Sequence, residues 1–282
     1  MPRLESAKRL MRHWFTSIPF FIVLGLGLGV LISILVIPKP NIATLTISGE
    51  IVDQAYTANI LDMLRDARKD DSIKAVVLQI DSPGGFVSTI EQIYLDVLHL
   101  RQQKPVVASI GMVGTSGGYY IAVASNYIYA EPTSILGNIG AWVTLPTPEE
   151  LEEDVITSGP FKATGGSRRK ATGMLEMVRQ EFIEAVISQR GDRIKLSEEE
   201  LSRAEIYVGV ESLRNGLIDE IGTSTAAIEK AASLAGIRNY GVVELEISKP
   251  VIFWFFGSSD MEDLKSKTST VPIYYYLYFE SE

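Results

Sequence analysis

Residues 74–85 read Lys-Ala-Val-Val-Leu-Gln-Ile-Asp-Ser-Pro-Gly-Gly. The run as far as Ile80 has the aliphatic, β-branched composition of a strand buried on both faces, as in a parallel sheet covered by helices. Proline and two glycines then stop it in a tight turn. Working outward, the same punctuation recurs. Upstream, residues 42–48 alternate apolar and polar and end at Gly49, a first strand, and residues 58–68 form an amphipathic helical pattern. Downstream, Ile90, Ile93, Tyr94, Val97, Leu98 and Leu100 recur at helical spacing within residues 89–102. Pro105 opens a strand over 106–110, the residues after Ser116 look helical, and 127–130 form a short strand. Strand and helix in alternation predict an α/β domain with a largely parallel sheet. Helices over 175–189, from Ser197 and over 225–234, and a strand over 242–247, complete it.

The chain has 282 residues, 46% of them hydrophobic, enough to bury one substantial core. A net charge of −9 argues against a surface that neutralises phosphates, so nucleic acid is not an expected partner. Cysteine is absent, which removes disulfides, thiolate metal sites and cysteine nucleophiles together. His13 and His99 are the whole histidine inventory, and no H-E-x-x-H pair exists to hold a zinc ion. No metal or cofactor is expected.

Residues 18–37, Ile-Pro-Phe-Phe-Ile-Val-Leu-Gly-Leu-Gly-Leu-Gly-Val-Leu-Ile-Ser-Ile-Leu-Val-Ile, carry no charge, and about 20 such residues span a bilayer core. The chain continues Pro38-Lys39-Pro40 with no small-residue cleavage site, so a retained anchor is expected rather than a removed signal. Arg3, Lys8, Arg9 and Arg12 precede the segment while Lys39 alone follows closely. The positive-inside rule then puts the N-terminus in the cytoplasm and the folded domain on the other side of the cell membrane. Gly25 and Gly29 form a G-x-x-x-G pair, which serves close packing of two anchors or is simply tolerated glycine.

Two glycine turns carry the candidate chemistry. Gly114-Thr115-Ser116-Gly117-Gly118 matches the nucleophile-elbow pattern between a strand and a helix. An α/β-hydrolase would supply its histidine after the serine, and none occurs beyond His99, so that reading fails on inventory. The turn at residues 82–85 ends another buried strand, and strand C-termini in a parallel sheet share one edge. Backbone N–H groups of Gly85 and Gly117 can therefore converge on one carbonyl without side chains in the way, and each such donor is worth a few kcal/mol to an oxyanion. With imidazole scarce, the base for Ser116 is a lysine kept uncharged by a dry surrounding. Lys162, flanked by Pro160 and Phe161, and Lys170, preceded by Arg168 and Arg169, are the two candidates, and spacing leaves the choice between them open. His99 lies in a helical run that ends in charged residues and reads as an exposed helix position.

These segments resemble signal peptide peptidase A. Ile80-Asp81-Ser82-Pro83-Gly84-Gly85 is similar to that family's oxyanion turn, and Ser116-Gly117-Gly118-Tyr119-Tyr120-Ile121-Ala122 to the segment starting with its nucleophile. Gly137-Asn138-Ile139-Gly140 resembles its following glycine motif, and Ser158-Gly159-Pro160-Phe161-Lys162 its S-G-x-x-K. The resemblance runs over roughly residues 42–240. It implies an α/β fold of the Clp-protease and crotonase-like type, with repeated β-β-α units behind the N-terminal transmembrane helix. It also implies a Ser–Lys dyad of Ser116 and Lys162, with Gly85 and Gly117 as oxyanion donors, which selects Lys162 over Lys170. Where the family carries a serine thought to orient the lysine, this chain has Asn138, whose amide has a different reach and makes it the dyad-orienting candidate. The family's assembly into a membrane-apposed ring implies a homo-oligomer acting on extended peptides.

The expected organisation is a cytoplasmic segment 1–17, an anchor 18–37, a protease domain 41–248 and an aromatic-rich tail 249–282. The expected activity is endopeptidase cleavage of remnant signal peptides and other apolar membrane-derived peptides. Alternatives are a stomatin-type protease with a dedicated protein substrate, a catalytically impaired scaffold, and a crotonase-type acyl-CoA enzyme, which leaves the anchor and the Ser/Lys pair without a role. In the tail, residues 271–279 read Val-Pro-Ile-Tyr-Tyr-Tyr-Leu-Tyr-Phe, a segment costly to leave in water. It is expected in an apolar substrate groove, against a neighbouring subunit or at a membrane interface.

Overall fold

The structure is a computed structural model that describes residues 19, 21–29, 39–145, 158–162, 165–245 and 273–277. The chain divides into two units, Met1–Lys39 and Pro40–Glu282. In the first, residues 21–29 are helical and exposed. Among the described residues no helix is long and apolar enough to cross a membrane. Residues 18, 20 and 30–37 of the expected anchor lie outside the described residues.

In the second unit, β1 (Asn41–Ser48) leads to α1 (Gln54–Lys69), whose start is fixed by the Asp53 carboxylate accepting from the N–H groups of Ala55 and Tyr56. The helix buries Ile60, Met63, Leu64 and Ala67, the spacing of one apolar stripe, and ends in Arg68 and Lys69, which suit its C-terminal dipole. β2 (Ile73–Ser82) follows, then β3 (Gly84–Phe86), α2 (Val87–Arg101), β4 (Val106–Thr115), α3 (Gly117–Val123) and β5 (Tyr127–Ala130). Next come β6 (Ile135–Gly137), β7 (Trp142–Thr144), α4 (Arg168–Arg190), α5 (Glu198–Leu201), β8 (Ile206–Val208) and α6 (Gly209–Asn215). β9 (Glu220–Ile221), α7 (Ser224–Leu234), β10 (Gly241–Glu244) and β11 (Ile273–Leu277) complete the order.

The main sheet runs β10-β1-β2-β4-β5-β9, with parallel pairing along that path. Its central strand has the two buried faces that its aliphatic composition requires. Val76, Leu78 and Ile80 join a core with residues of α1, α2, α3 and α4, while Ala75 and Val77 pack against Ala227, Ala231 and Ala232 of α7. β6 extends the far end of β4 in parallel and pairs antiparallel with β8. A separate antiparallel sheet, β3-β11-β7, stands at the same end.

Four expectations shift. β4 reaches Thr115 rather than ending at 110, because its last residues pair with β6. The helix expected from Ser197 is a single turn, Glu198–Leu201, closed by a capping box between Ser197 and Glu200. The helix expected over 175–189 begins at Arg168, where the Ser167 hydroxyl accepts from the Lys170 N–H. The strand expected over 242–247 is observed as Gly241–Glu244, its last two positions lying outside the described residues.

Candidate active site

The turn after β2 is shaped by a buried hydroxyl. Ser82 Oγ donates to the carbonyl of Gly49 at 2.6 Å and accepts from the N–H of Gly84 at 3.1 Å. Gly84 adopts φ +107°, which a side chain resists. The pairing of β2 with β4 slips between Ile80 and Ser82, and the Asp81 carboxylate accepts from the Val113 N–H at 2.9 Å across that slip. The carbonyl of Gly84 accepts from the Ile51 N–H at 2.8 Å, and the Phe86 N–H donates to the Ile51 carbonyl at 3.1 Å. Alternation along a strand then turns the N–H and C=O of Gly85 to the opposite side.

The second turn meets the first. Ser116 sits between β4 and α3 at φ +52° and ψ −121°, a conformation that costs a non-glycine residue about 1–3 kcal/mol and is characteristic of functional sites. Its N–H donates to the Gly137 carbonyl at 2.8 Å and its carbonyl accepts from the Tyr120 N–H at 2.9 Å, so the strained residue is held from both sides. A Cβ built on Gly118 would stand 2.4 Å from the Ser82 carbonyl oxygen, and one built on Gly84 would stand 2.7 Å from the Gly117 nitrogen. Ser116, Gly85 and Gly117 therefore share one place, and glycine is what lets the two backbones touch. Tyr119 locks the helix behind them, its buried hydroxyl donating to the Leu217 carbonyl at 2.7 Å; burial pushes that phenol well above its ordinary range.

Asn138 stands beside this pair of turns, next to the Gly137 that holds Ser116. It adopts φ +52°, its N–H donates to the Glu205 carbonyl at 2.8 Å, and its Nδ2 donates to the Ala204 carbonyl at 3.0 Å. Ala204 is also left-handed, at φ +53°. Ser116, Asn138 and Ala204 are the non-glycine residues with positive φ among the described residues, joined by the hydrogen bonds from Ser116 to Gly137 and from Asn138 to Ala204 and by the Gly137–Asn138 peptide bond between them. This strained string was not legible beforehand, although an asparagine inside a glycine motif is a signal for a left-handed position.

Lys162 lies in the turn at residues 158–162, its N–H donating to the Gly159 carbonyl at 3.2 Å, and its side chain is exposed. Phe161 beside it is 53% exposed, so the apolar neighbour that marked this lysine does not cover it within one chain. Lys170 is exposed in the first turn of α4. His99 is exposed on α2 with Nδ1 2.9 Å from the Arg68 guanidinium, remote in role from the glycine turns. Among the described residues no cluster of histidine and carboxylate side chains could hold a metal ion.

An aromatic pocket unnoticed in the sequence adjoins the turns. Tyr120, one residue after Tyr119, lies 4.5 Å from Tyr94 and 4.8 Å from Phe182, ring centre to ring centre. Tyr276 of β11 completes the cluster, fully buried, at 5.2 Å from Tyr120 and 4.9 Å from Phe182. The signal available was the repeated tyrosine at 119–120, within the stretch that reads as helical after Ser116. A neighbouring depression of about 480 Å³ is lined by Glu91, Tyr94, Tyr120 and Glu181. Burial, and then the nearby Glu181 charge, raise the Glu91 carboxyl above its ordinary range.

Comparison with known proteins relates the chain to peptidases. Residues 99–238 match peptidase family S49 and residues 41–135 match the Clp protease family. Protease 4 of Haemophilus influenzae is 30% identical over 226 residues, covering 73% of this chain and 37% of that protein. The chain thus spans little more than a third of the length of that relative. A putative protease of Synechocystis sp. is 30% identical over 213 residues, 71% of this chain and 76% of its own length. A putative signal peptide peptidase SppA of Enterococcus faecium is 26% identical over 228 residues, 72% and 66% of the two chains. Among solved structures, a mutant of the 1510-N membrane-bound stomatin-specific protease matches with a TM-score of 0.50 and 18% identity over 75% of this chain and 100% of that one, a likeness of fold. The two matched segments overlap over residues 99–135, which hold the Ser116 turn, and on these relations the chain belongs to peptidase family S49, the serine-peptidase family of the Protease 4 and signal peptide peptidase A relatives.

Proposed function

We propose that this chain is a membrane-anchored serine endopeptidase that degrades remnant signal peptides and other apolar, membrane-derived peptides. The observation that carries the reading is Ser116, held strained at a strand-to-helix elbow where two glycine turns touch. Ser116 Oγ attacks a peptide carbonyl, the N–H groups of Gly85 and Gly117 receive the developing negative oxygen, and Lys162 takes the hydroxyl proton and returns it to the leaving amine. Water then releases the acyl group from Ser116. For this chemistry the Lys162 amine, exposed on the single chain, must be brought to Ser116 and shielded from water. Enclosure in a homo-oligomer is the arrangement that we propose supplies both. The uncharged run at 18–37 supports an anchor in the cell membrane, with the basic N-terminus cytoplasmic and the peptidase domain outside.

Hydrolysis of an apolar peptide by the purified full chain is compared with that by Ser116→Ala and Lys162→Ala. Each substitution lowers kcat by about 10³-fold or more, because the two groups act as a unit. Undiminished turnover in either variant defeats the assignment. The exposure of Lys162 favours one second reading, a catalytically impaired scaffold. Failure of a serine-reactive phosphonate to label Ser116 in the assembled protein, with turnover absent, would establish it.

A further inference from the structure

The depression of about 480 Å³ beside the aromatic cluster is lined by Glu91, Tyr94 and Leu95 of α2, Glu181 and Glu184 of α4 and Tyr120 of α3. Its volume lies in the range of about 300–1,000 Å³ usual for small-ligand sites. Three carboxylates gather there without a counter-charge. Elsewhere on α4, Glu176 is paired with Arg179, three positions on, whereas no lysine or arginine stands three or four positions either side of Glu91, Glu181 or Glu184. Among the described residues none of the three makes an ion pair, and Glu184 accepts a bond from the neutral Gln180 amide. A second observation is independent of these charges. Tyr120 is 5% exposed, yet its hydroxyl makes no hydrogen bond among the described residues, while those of Tyr119 and Tyr276 each reach a backbone carbonyl. After burial itself, the groups that raise the Tyr120 phenol are Tyr94, Glu91 and Glu181, all lining the depression, so the hydroxyl points into it. A hydroxyl so deeply buried ordinarily has a partner.

We propose that the depression between α2 and α4 binds an organic cation, a guanidinium or primary ammonium on an aliphatic stem, with Glu91 and Glu181 as counter-charges and the Tyr120 hydroxyl as acceptor. Among the described residues no group of histidine and carboxylate side chains could hold a metal ion, so the carboxylates suit a ligand whose donors are spread out. A guanidinium fans its N–H groups over a plane and reaches several acceptors at once. The faces of Tyr94 and Tyr120 favour a cation, and the exposed Leu95 gives an aliphatic stem an apolar seat. Two sources carry this chemistry, an arginine or lysine side chain of a peptide and a free amine. Tyr120 follows Ser116 by four residues, about 6 Å along a helix, so the site lies one turn behind the proposed nucleophile. The binding itself does not depend on the peptidase reading.

The test is calorimetric titration of full-length Ser116→Ala, in which no peptide is cut. Agmatine, its uncharged analogue n-butylurea and the peptide acetyl-Leu-Leu-Arg-Leu-amide are the probes. Agmatine or the peptide binds saturably, n-butylurea does not, and adding Glu91→Gln with Glu181→Gln weakens the bound cation at least tenfold. Glutamine keeps the shape of both side chains and relieves their repulsion, so this protein folds. Adding Tyr120→Phe instead weakens binding at least threefold with the thermal unfolding midpoint unchanged, a split that a merely structural hydroxyl would not give. A peptide held at least tenfold more tightly than agmatine identifies a basic side chain as the source, and agmatine held as tightly or better identifies a free amine; either result upholds the site. Absence of saturable binding by both cations, n-butylurea binding as tightly as agmatine, or unchanged affinity in the glutamine or phenylalanine protein overturns the proposal.

Discussion

At the scale of single residues, the site is organised by backbone conformations that side chains ordinarily avoid. Ser116 has its strain held by Gly137, and Asn138 next to it is itself left-handed. Asparagine tolerates that region because its short amide bonds locally, here from Nδ2 to the Ala204 carbonyl at 3.0 Å. This gives a physical reason for asparagine where the resembled family has serine, independent of any contact with the lysine. Serine at 138 would lose a hydrogen bond worth about 1 kcal/mol and add part of a left-handed penalty of about 1–2 kcal/mol. Glycine would lose the bond alone. Thermal denaturation is therefore expected to rank the native chain above Asn138→Gly and Asn138→Ser lowest, by about 1–2 kcal/mol. A serine variant as stable as the native chain would show that the amide does not support the turn.

At the scale of elements, α3 packs its first turn onto the β2–β3 turn. Gly118 shows which effect wins there. In an exposed helix, alanine is about 1 kcal/mol better than glycine. Here the added methyl would lie 2.4 Å from the backbone oxygen of Ser82, which cannot swing aside as a side chain can. Overpacking of this kind costs about 1–3 kcal/mol, so Gly118→Ala is expected to lower stability in a urea titration and to reduce turnover by separating the two turns. A variant stabilised by about 1 kcal/mol would mean that α3 is free of that turn. Such glycines are why the elbow and its partner turn were legible: no other residue permits two backbones to touch, and their mutual approach follows from parallel strands ending at one edge. The central strands were legible for a similar reason, as continuous aliphatic runs have few other uses. The small sheet was not. β3, β7 and β11 are short and come from distant parts of the chain, so local pattern carries little trace of them. The apolar load of 271–279 announced that the segment needs cover, while its register against Gly85 depends on bonds made by Ile51, far upstream. The surroundings of Lys162 were equally hidden, since Pro160 and Phe161 as sequence neighbours do not guarantee a dry amine.

At the scale of the whole folded unit, α4 is tied to the edge of the main sheet by one buried charge cluster. Arg190, 2% exposed, makes two parallel bonds to the Asp219 carboxylate at 2.9 and 3.0 Å and donates through Nε to the Gly216 carbonyl at 2.8 Å. Asp219 also accepts from the Ile128 N–H at 2.8 Å, which fixes the cluster to β5, and Arg193 adds a more exposed bond at 3.0 Å. Burial alone would raise the Asp219 carboxyl, but the bonds and charge of Arg190, with the Ile128 N–H and Arg193, outweigh it and hold the group below the ordinary carboxylate range. A carboxyl depressed in the folded state contributes stability that is fully present above its unfolded value near 3.9 and is lost as pH falls through the folded value. Unfolding free energy is therefore expected to decline below about pH 4. Asp219→Asn removes this contribution and leaves Arg190 buried without its counter-charge, at a cost of about 3–5 kcal/mol near neutral pH, because a lone buried guanidinium keeps its desolvation penalty without the attraction that offset it. Arg193→Ala, at the exposed side of the cluster, should cost under about 1 kcal/mol. Denaturant midpoints at pH 7 and pH 3.5 for the native chain and both variants check all three statements. An asparagine variant within 1 kcal/mol of the native chain at pH 7 would mean that α4 is held by its apolar contacts alone, those that Phe182, Ile183 and Val186 make with the core.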